Sequence, residues 1–146
     1  MNELSDLKAK IDSEPANAQR TDAEVLDWLR ELEAGPFVDV PPEVYFDWSA
    51  KYKLPGRYYA TANTVPASNL QSAALMLHTA WVQNAGLQLS SLNVRAHLGD
   101  AVPSIISIAA RDELLEVARP DVPRWVNAAW EFEPILGDVV AARNLP

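Results

Sequence analysis

The sequence contains no cysteine and only two histidines, His78 and His97, among its 146 residues. Without cysteine there is no disulfide framework, thiolate zinc site, iron–sulfur cluster or cysteine nucleophile. The histidines lie far apart in the chain, which has no HExxH motif, no catalytic-triad order and no phosphate-binding loop. We therefore expect no enzyme activity, no metal and no other cofactor. Both histidines are expected to have packing or helix-end roles.

Long apolar runs are also absent. The stretches 73–77 and 105–110 are much shorter than the ~20 residues that span a bilayer. The first six residues are acidic and lack the basic start and apolar core of a signal peptide. We expect a soluble protein made in a cytoplasm, with no membrane partner and no small-molecule substrate.

Basic residues are scarce relative to acidic ones. Twelve Lys and Arg stand against twenty Asp and Glu, which gives a net charge of −8. Such a chain repels phosphate backbones, so direct nucleic-acid binding is not expected. The acidity lies at the two ends, because residues 1–34 carry nine acids and four bases, residues 111–146 seven and four, and residues 35–110 four of each.

Proline and turn residues divide the chain into short amphipathic segments that predict helices. Leu4, Leu7 and Ile11 share one face of a first helix, and Thr21 with Glu24 forms a capping-box pattern for a second helix ending at Gly35-Pro36. Further helices are predicted from Pro42 to about Tyr52, from Ser68 to about Gly86, and within 89–99, 104–118, 125–130 and 135–143. Residues 57–64 fit either one helical turn or an extended connector.

Only residues 105–108 resemble a β-strand. A single strand has no partner, and the spacing of Ile108 and Leu115 favours a buried helix instead. The sequence therefore predicts an all-α fold, a compact single domain over residues 1–146 with about six or seven short helices. We expect its core to contain Leu29, Leu32, Trp48, Leu70, Leu77, Trp81, Ile108 and Leu115.

Aromatic residues supply the candidates for protein contacts. Trp125 and Trp130 lie in a short proline-bounded segment, five residues apart and so not on one helix face. One is expected to point inward and the other to bind a partner. Tyr58 and Tyr59 fit either a packed loop or a contact site. We take all four as contact candidates and expect at least one to be substantially exposed.

The order of these signals resembles a family of small helical proteins encoded among the virion-structure genes of tailed bacteriophages. The resemblance rests on a short first helix near Leu4, on the segment 21–25 followed by Trp28-Leu29, and on the pair Val40-Pro41. It also rests on an alanine-rich helix and on the ending Gly-Asp-Val-Val-Ala-Ala-Arg at residues 137–143. The chain departs from the family pattern at 57–64 and 125–130.

The resemblance implies a non-enzymatic structural or assembly protein of a phage particle, located in the head-to-tail neck, the tail or on the capsid. Its partners would be other virion proteins and copies of itself. An alternative is an acidic regulator or inhibitor, free in the host cytoplasm, that occupies a nucleic-acid-binding surface as a DNA mimic. A hydrolase or metal enzyme is a third and weaker alternative, because the sequence offers no site for either.

Overall fold

The computed structural model describes residues 3–146, and 61% of the chain is helical. The all-α class is confirmed, since the described residues contain only one small sheet of two short strands. They form nine α-helices, more than the six or seven expected. The helices are α1 Leu4–Asp12, α2 Asp22–Arg30, α3 Pro42–Lys51, α4 Pro55–Thr64, α5 Asn69–Val82, α6 Leu92–Asp100, α7 Ile108–Val117, α8 Arg124–Asn127 and α9 Leu136–Arg143. The strands are β1 Leu32–Ala34 and β2 Asp121–Pro123, and Pro15–Gln19 forms a 3-10 helix.

Backbone contacts divide the described chain into two units. Unit 1 comprises residues 3–36 and 121–146, and unit 2 comprises residues 37–120. Each unit has a hydrophobic core of its own. The expectation of one domain over residues 1–146 stays a prediction.

Unit 1 is built from helices near both ends of the chain. Helix α1 buries Leu7 and Ile11, and it packs against α9. The capping box predicted for α2 is confirmed, because the backbone N–H of Glu24 donates to Thr21 Oγ1 at 3.2 Å and that of Thr21 donates to Glu24 Oε1 at 3.1 Å. These bonds satisfy amide groups that a helix start leaves without a partner.

Helix α2 is shorter than expected, which places Leu32 outside the core. The helix ends at Arg30, and β1 then pairs antiparallel with β2. Arg124 stabilises this ending, because its backbone N–H donates to Glu31 O and its Nη1 donates to Trp28 O, both at 3.0 Å. The buried face of α2 therefore ends before Leu32. This residue is 64% exposed, and its assignment to the core was wrong.

In unit 2, α4 packs along α5, and an isolated backbone bridge ties the segment before α3 to the segment after α5. Residues 57–64, which fitted two structures in the sequence, belong to α4. The bridge joins Val40 and Leu87 through two N–H to O bonds of 2.8 and 3.0 Å. Trp48 is buried in this unit, and its Nε1 donates to Ala110 O at 2.8 Å, so its polar group is satisfied.

The other predicted core residues divide into three groups. Leu29, Trp48 and Leu77 are buried, as predicted. Leu70, Trp81 and Leu115 are partly buried and pack against the core of unit 2. Ile108 is exposed, so its assignment was wrong.

The position of Ile108 follows from where α7 begins. The Ser107 hydroxyl accepts from the backbone N–H of Ala110 and makes Ile108 the first helical residue. In a helix that begins at Ile108, Ala110 and Leu114 lie on the face that points into the core. Ile105 and Ile106, which precede the helix, are fully buried.

Candidate protein-interaction surface

Residues 3–146 bring together no group of three or more acidic, histidine or cysteine side chains that could hold a metal ion. Among the helices described, none combines the length and the apolar character needed to cross a membrane. The ring of His78, on α5, packs edge-on against Tyr59 with 5.5 Å between centroids. His97 lies near the end of α6 with Nδ1 3.8 Å from Asp100 Oδ2. Both positions agree with packing and helix-end roles.

The four aromatic contact candidates occupy different environments. Tyr58 is fully buried in unit 2, and Trp130 is buried in unit 1. Trp125 is half-buried against the core of unit 1. Tyr59 is 60% exposed, which confirms that at least one of the four is substantially exposed. Because Tyr58 and Trp130 are buried, they are core residues and not surface contacts.

The burial of Tyr58 follows from the helical structure of α4. Tyr58 and Ala62, four residues apart, lie on the inner face, whereas Tyr59 is turned outward. The Tyr58 hydroxyl lies 2.9 Å from Ser49 Oγ, so its polar end is hydrogen-bonded inside the core. Burial raises the pKa of Tyr58 to about 12. Burial also raises the pKa of Tyr45, whose hydroxyl donates to Leu77 O at 2.5 Å.

The burial of Trp130 follows from an unusual helix end. Helix α8 contains only four residues, and Ala129 has φ 56°, in the left-handed region. The helix ends at Asn127, and the left-handed Ala129 turns the chain so that Trp130 packs with the core of unit 1. The sequence carries no glycine at this position to signal the turn.

The outward face of α5 forms an exposed stripe of apolar and small hydroxyl side chains. These residues are Ser72, Leu75, Thr79 and Val82, and we call them the α5 outer stripe. Their 3-4-3 spacing places them along one line of the helix, as in the seam of a coiled coil. Leu75 is 46% exposed and Val82 65%. The opposite face of α5 is buried in the core of unit 2, and residues 3–146 leave the α5 outer stripe exposed as a second face of the helix.

A groove of about 410 Å³ borders the α5 outer stripe. Leu75 and Thr79 form part of its lining, together with Met76, Leu87 and Val94. No charged residue lines it. Such a concave, mostly apolar surface can accept side chains from a protein partner.

Gly86 fixes the shape of one part of this groove. A Cβ atom at this position would lie 1.7 Å from Val40 O, so any other residue would push the two chain segments apart. The same backbone approach permits the bridge between Val40 and Leu87. The glycine is therefore required by backbone contact.

The chain segment that contains the α5 outer stripe lacks charge. Residues 58–94 contain no Asp, Glu, Lys or Arg, although 22% of the whole chain is charged. This segment includes all of α5 and most of α4, and many of its residues are exposed. Depletion of charged residues is a mark of the central part of protein interfaces. This uncharged run was visible in the sequence but was hidden by the charge counts over longer segments.

A second group of exposed apolar side chains lies in unit 1. Its members are Phe132, Ile135, Leu136 and Val140. Charged residues adjoin this group, because Glu131 and Glu133 flank Phe132 in the sequence and Arg30 Nε lies 3.1 Å from Glu133 Oε1. This mixed surface is a weaker candidate for a central interface patch.

Unit 1 carries most of the acidity of the chain. It holds thirteen acidic and six basic residues, a net charge of −7, whereas unit 2 holds seven and six, a net charge of −1. Many of the basic side chains of unit 1 form ion pairs, among them Lys10 with Glu33 and Arg143 with Asp22. The acidic excess is therefore confined to one unit, and the surface of unit 2 is close to neutral.

Glu33 is a carboxylate of unit 1 that contacts three polar or basic side chains. Its Oε1 accepts from Lys10 Nζ at 2.5 Å and from Asn127 Nδ2 at 2.7 Å, and Oε2 lies 3.4 Å from Arg124 Nε. Partial burial by itself would raise the pKa of Glu33. The hydrogen bonds from Lys10 and Asn127 and the charges of Lys10 and Arg124 outweigh it and lower the pKa. Glu33 thus joins α1, β1 and α8.

Comparisons with known proteins give no match for this chain: no protein-family model, no curated protein and no solved structure matches it.

Proposed function

We propose that this chain is a non-enzymatic structural or assembly component of a tailed bacteriophage particle, acting through protein contacts in the head-to-tail neck, the tail or on the capsid. The bacteriophage assignment comes from the sequence resemblance described above. In this proposal the protein is located in the virion after its synthesis in the host cytoplasm. Its partners are other virion proteins and copies of itself, with no direct contact to nucleic acid and no small-molecule substrate or cofactor.

The observation that carries the protein-contact role is the exposed α5 outer stripe, which lies within the uncharged segment 58–94. Leu75 and Val82 are exposed there beside an apolar groove, in a chain whose net charge is −8. Exposed apolar surface lowers solubility unless a partner covers it, and interface centres contain few charged residues. A structural protein that is assembled with others has such a partner.

The test is the location of the protein during phage production. We expect mass spectrometry of density-purified particles to find the chain at a fixed ratio to the major virion proteins. Complementation with Val82→Glu should reduce its incorporation, because a glutamate would be placed in the apolar patch. Val117→Glu is the matched control, since Val117 is also the last residue of a helix and is similarly exposed, at 53%. Absence of the chain from purified particles would contradict the proposal.

The second candidate is an acidic regulator that binds a nucleic-acid-binding protein as a DNA mimic. The observation in its favour is the net charge of −7 in unit 1. Association of this kind depends strongly on salt, because it rests on charge attraction. Recovery of the chain in the particle-free fraction, bound to a basic protein and released by about 0.5 M salt, would favour this candidate over a virion component.

A further inference from the structure

We infer that the α5 outer stripe binds the same stripe of a second copy of this chain, with the two α5 helices antiparallel across a two-fold axis. This inference rests on the proposed function in treating the stripe as a protein-contact surface. It does not require that the protein be in a virion. The partner is a second copy of the chain, and three features favour it: the lack of charge in the segment, the spacing of the stripe residues and the sizes of their side chains.

The lack of charged residues in segment 58–94 favours a second copy of the chain as the partner. In a two-fold interface each patch faces its own copy, so any charged residue near the axis meets a residue of like charge. Two chains of net charge −8 repel each other, and unit 1 carries most of that charge. The uncharged segment 58–94 meets the requirement for self-pairing, since it contains no Asp, Glu, Lys or Arg. A partner bound by charge attraction would instead require charged residues on this face.

Spacing defines how two stripes would meet. Ser72, Leu75, Thr79 and Val82 follow the 3-4-3 spacing of coiled-coil seam positions. When two such helices run antiparallel and overlap fully, Leu75 of one copy faces Thr79 of the other, and Ser72 faces Val82. Each large side chain then lies opposite a smaller one, which fills the contact without overlap.

The groove enlarges the contact beyond one helix pair. Helix α5 has fourteen residues, about 21 Å of length, and a seam of four residues is a small contact by itself. The groove of about 410 Å³ opens beside Leu75 and Thr79, so side chains flanking the partner helix can enter it. We expect a dimer of moderate affinity, with a dissociation constant of roughly micromolar size.

Sedimentation velocity of the purified full chain at about 1 to 200 µM, a range around that constant, is the first test. The wild type should shift from monomer to dimer across it. Val82→Glu should weaken dimerisation at least about tenfold, because one glutamate from each copy enters the apolar contact. Val117→Glu, at the matched position of α7, should dimerise like the wild type. Circular dichroism should show that both variants keep the native helix content.

Cysteine cross-linking tests the antiparallel arrangement, and the chain is suited to it because it has no native cysteine. In the antiparallel register, a mixture of the variants Leu75→Cys and Thr79→Cys should form disulfide-linked dimers on mild oxidation. Neither variant alone should do so to the same extent. Efficient linkage of each variant to itself, without gain in the mixture, indicates parallel helices and overturns the arrangement.

The outcomes separate this inference from the proposed function. A wild type that stays monomeric over the whole range, or equal dimerisation of Val82→Glu and Val117→Glu, overturns self-association through the stripe. The virion role is then tested only by the particle analysis. Dimerisation of the purified chain together with its absence from particles supports the inference and contradicts the proposed function.

Discussion

The adjacent residues Tyr58 and Tyr59 show how one backbone conformation separates core from surface. Both lie in the uncharged segment 58–94, and their side chains are identical. The helical phase of α4 turns Tyr58 toward Ser49 and Tyr45, and it turns Tyr59 outward beside His78. The sequence left the structure of residues 57–64 open, so it had no helical phase with which to assign the two rings.

Truncation of each tyrosine should separate the two roles. We expect Tyr58→Ala to lower the free energy of unfolding by about 3–5 kcal/mol, because it removes a buried aromatic ring and leaves a cavity. Tyr59→Ala should lower it by less than about 1 kcal/mol, since only an exposed edge contact with His78 is lost. Urea unfolding followed by circular dichroism measures both. Similar losses in the two variants would contradict the assignment of Tyr58 to the core.

At the scale of whole elements, helix starts were easier to predict than helix ends. Thr21 caps α2 and Ser68 caps α5, and both starts carry a recognisable side chain. Helices α3 and α5 end at Lys51 and Val82, and the turns that follow contain Lys53 and Asn84, which have φ 55° and 52°. The sequence predicts the end of α3 at about Tyr52, one residue beyond the observed end, but it extends α5 to near Gly86, because glycine is the usual left-handed residue after a helix.

The end of α3 has the hydrogen bonds of a Schellman motif. The backbone N–H of Leu54 donates to Ser49 O at 2.9 Å, and that of Lys53 donates to Ala50 O at 3.1 Å. These bonds satisfy carbonyl groups at the helix end, which compensates for placing a residue with a Cβ atom in the left-handed region. Hydrogen bonds of this kind cannot be seen in the sequence.

We expect Lys53→Gly to stabilise the protein by about 1 kcal/mol, because glycine adopts the left-handed conformation at less cost. The matched control is Ala50→Gly, inside α3, which should destabilise it by roughly 1 kcal/mol. Thermal and urea unfolding of the two variants measure the opposite signs. A loss of stability in Lys53→Gly would show that the lysine stabilises this turn by contacts of its side chain.

The small sheet was beyond sequence prediction for a different reason. Each strand has three residues, and Glu33 pairs with Val122 across most of the length of the chain. Three residues are too few to show the alternation that identifies a strand. Long-range pairing of this kind depends on the rest of unit 1 bringing the two segments together, so Leu32 was taken as part of a helix.

At the scale of the whole molecule, the sequence established the helical class and the acidic character but not their distribution. Counts over contiguous segments placed the acidity at the two ends of the chain. The structure joins these ends in unit 1 and leaves unit 2 nearly neutral. The α5 outer stripe lies in the neutral unit, and this combination of low charge and exposed apolar side chains makes it the strongest candidate for a contact surface.

The charge network of unit 1 leads to a prediction about acid stability. The folded state lowers the pKa of Glu33 below its ordinary value of 4.5. A carboxyl group with a lowered folded pKa stabilises the protein above its unfolded pKa. This contribution is lost as the pH falls through the folded pKa, because protonation removes the pairing. The stability from Glu33 should therefore be fully present at pH 7 and decrease below about pH 4.5.

We expect Glu33→Gln to reduce the free energy of unfolding at pH 7 by about 1 kcal/mol, because the charge-assisted bonds from Lys10 and Arg124 are weakened. The difference from the wild type should shrink as the pH falls through the folded pKa of Glu33, because protonation then removes its charge in the wild type as well. Asp27→Asn, at an exposed position of α2, is the control and should change the free energy of unfolding at pH 7 by less than about 0.5 kcal/mol. Urea unfolding at pH 7, 5, 4 and 3 provides the measurement. A difference that stays constant with pH would mean that the substitution acts through packing. The two proteins differ only at residue 33, so a loss of the Glu33 charge interactions would make the difference depend on pH.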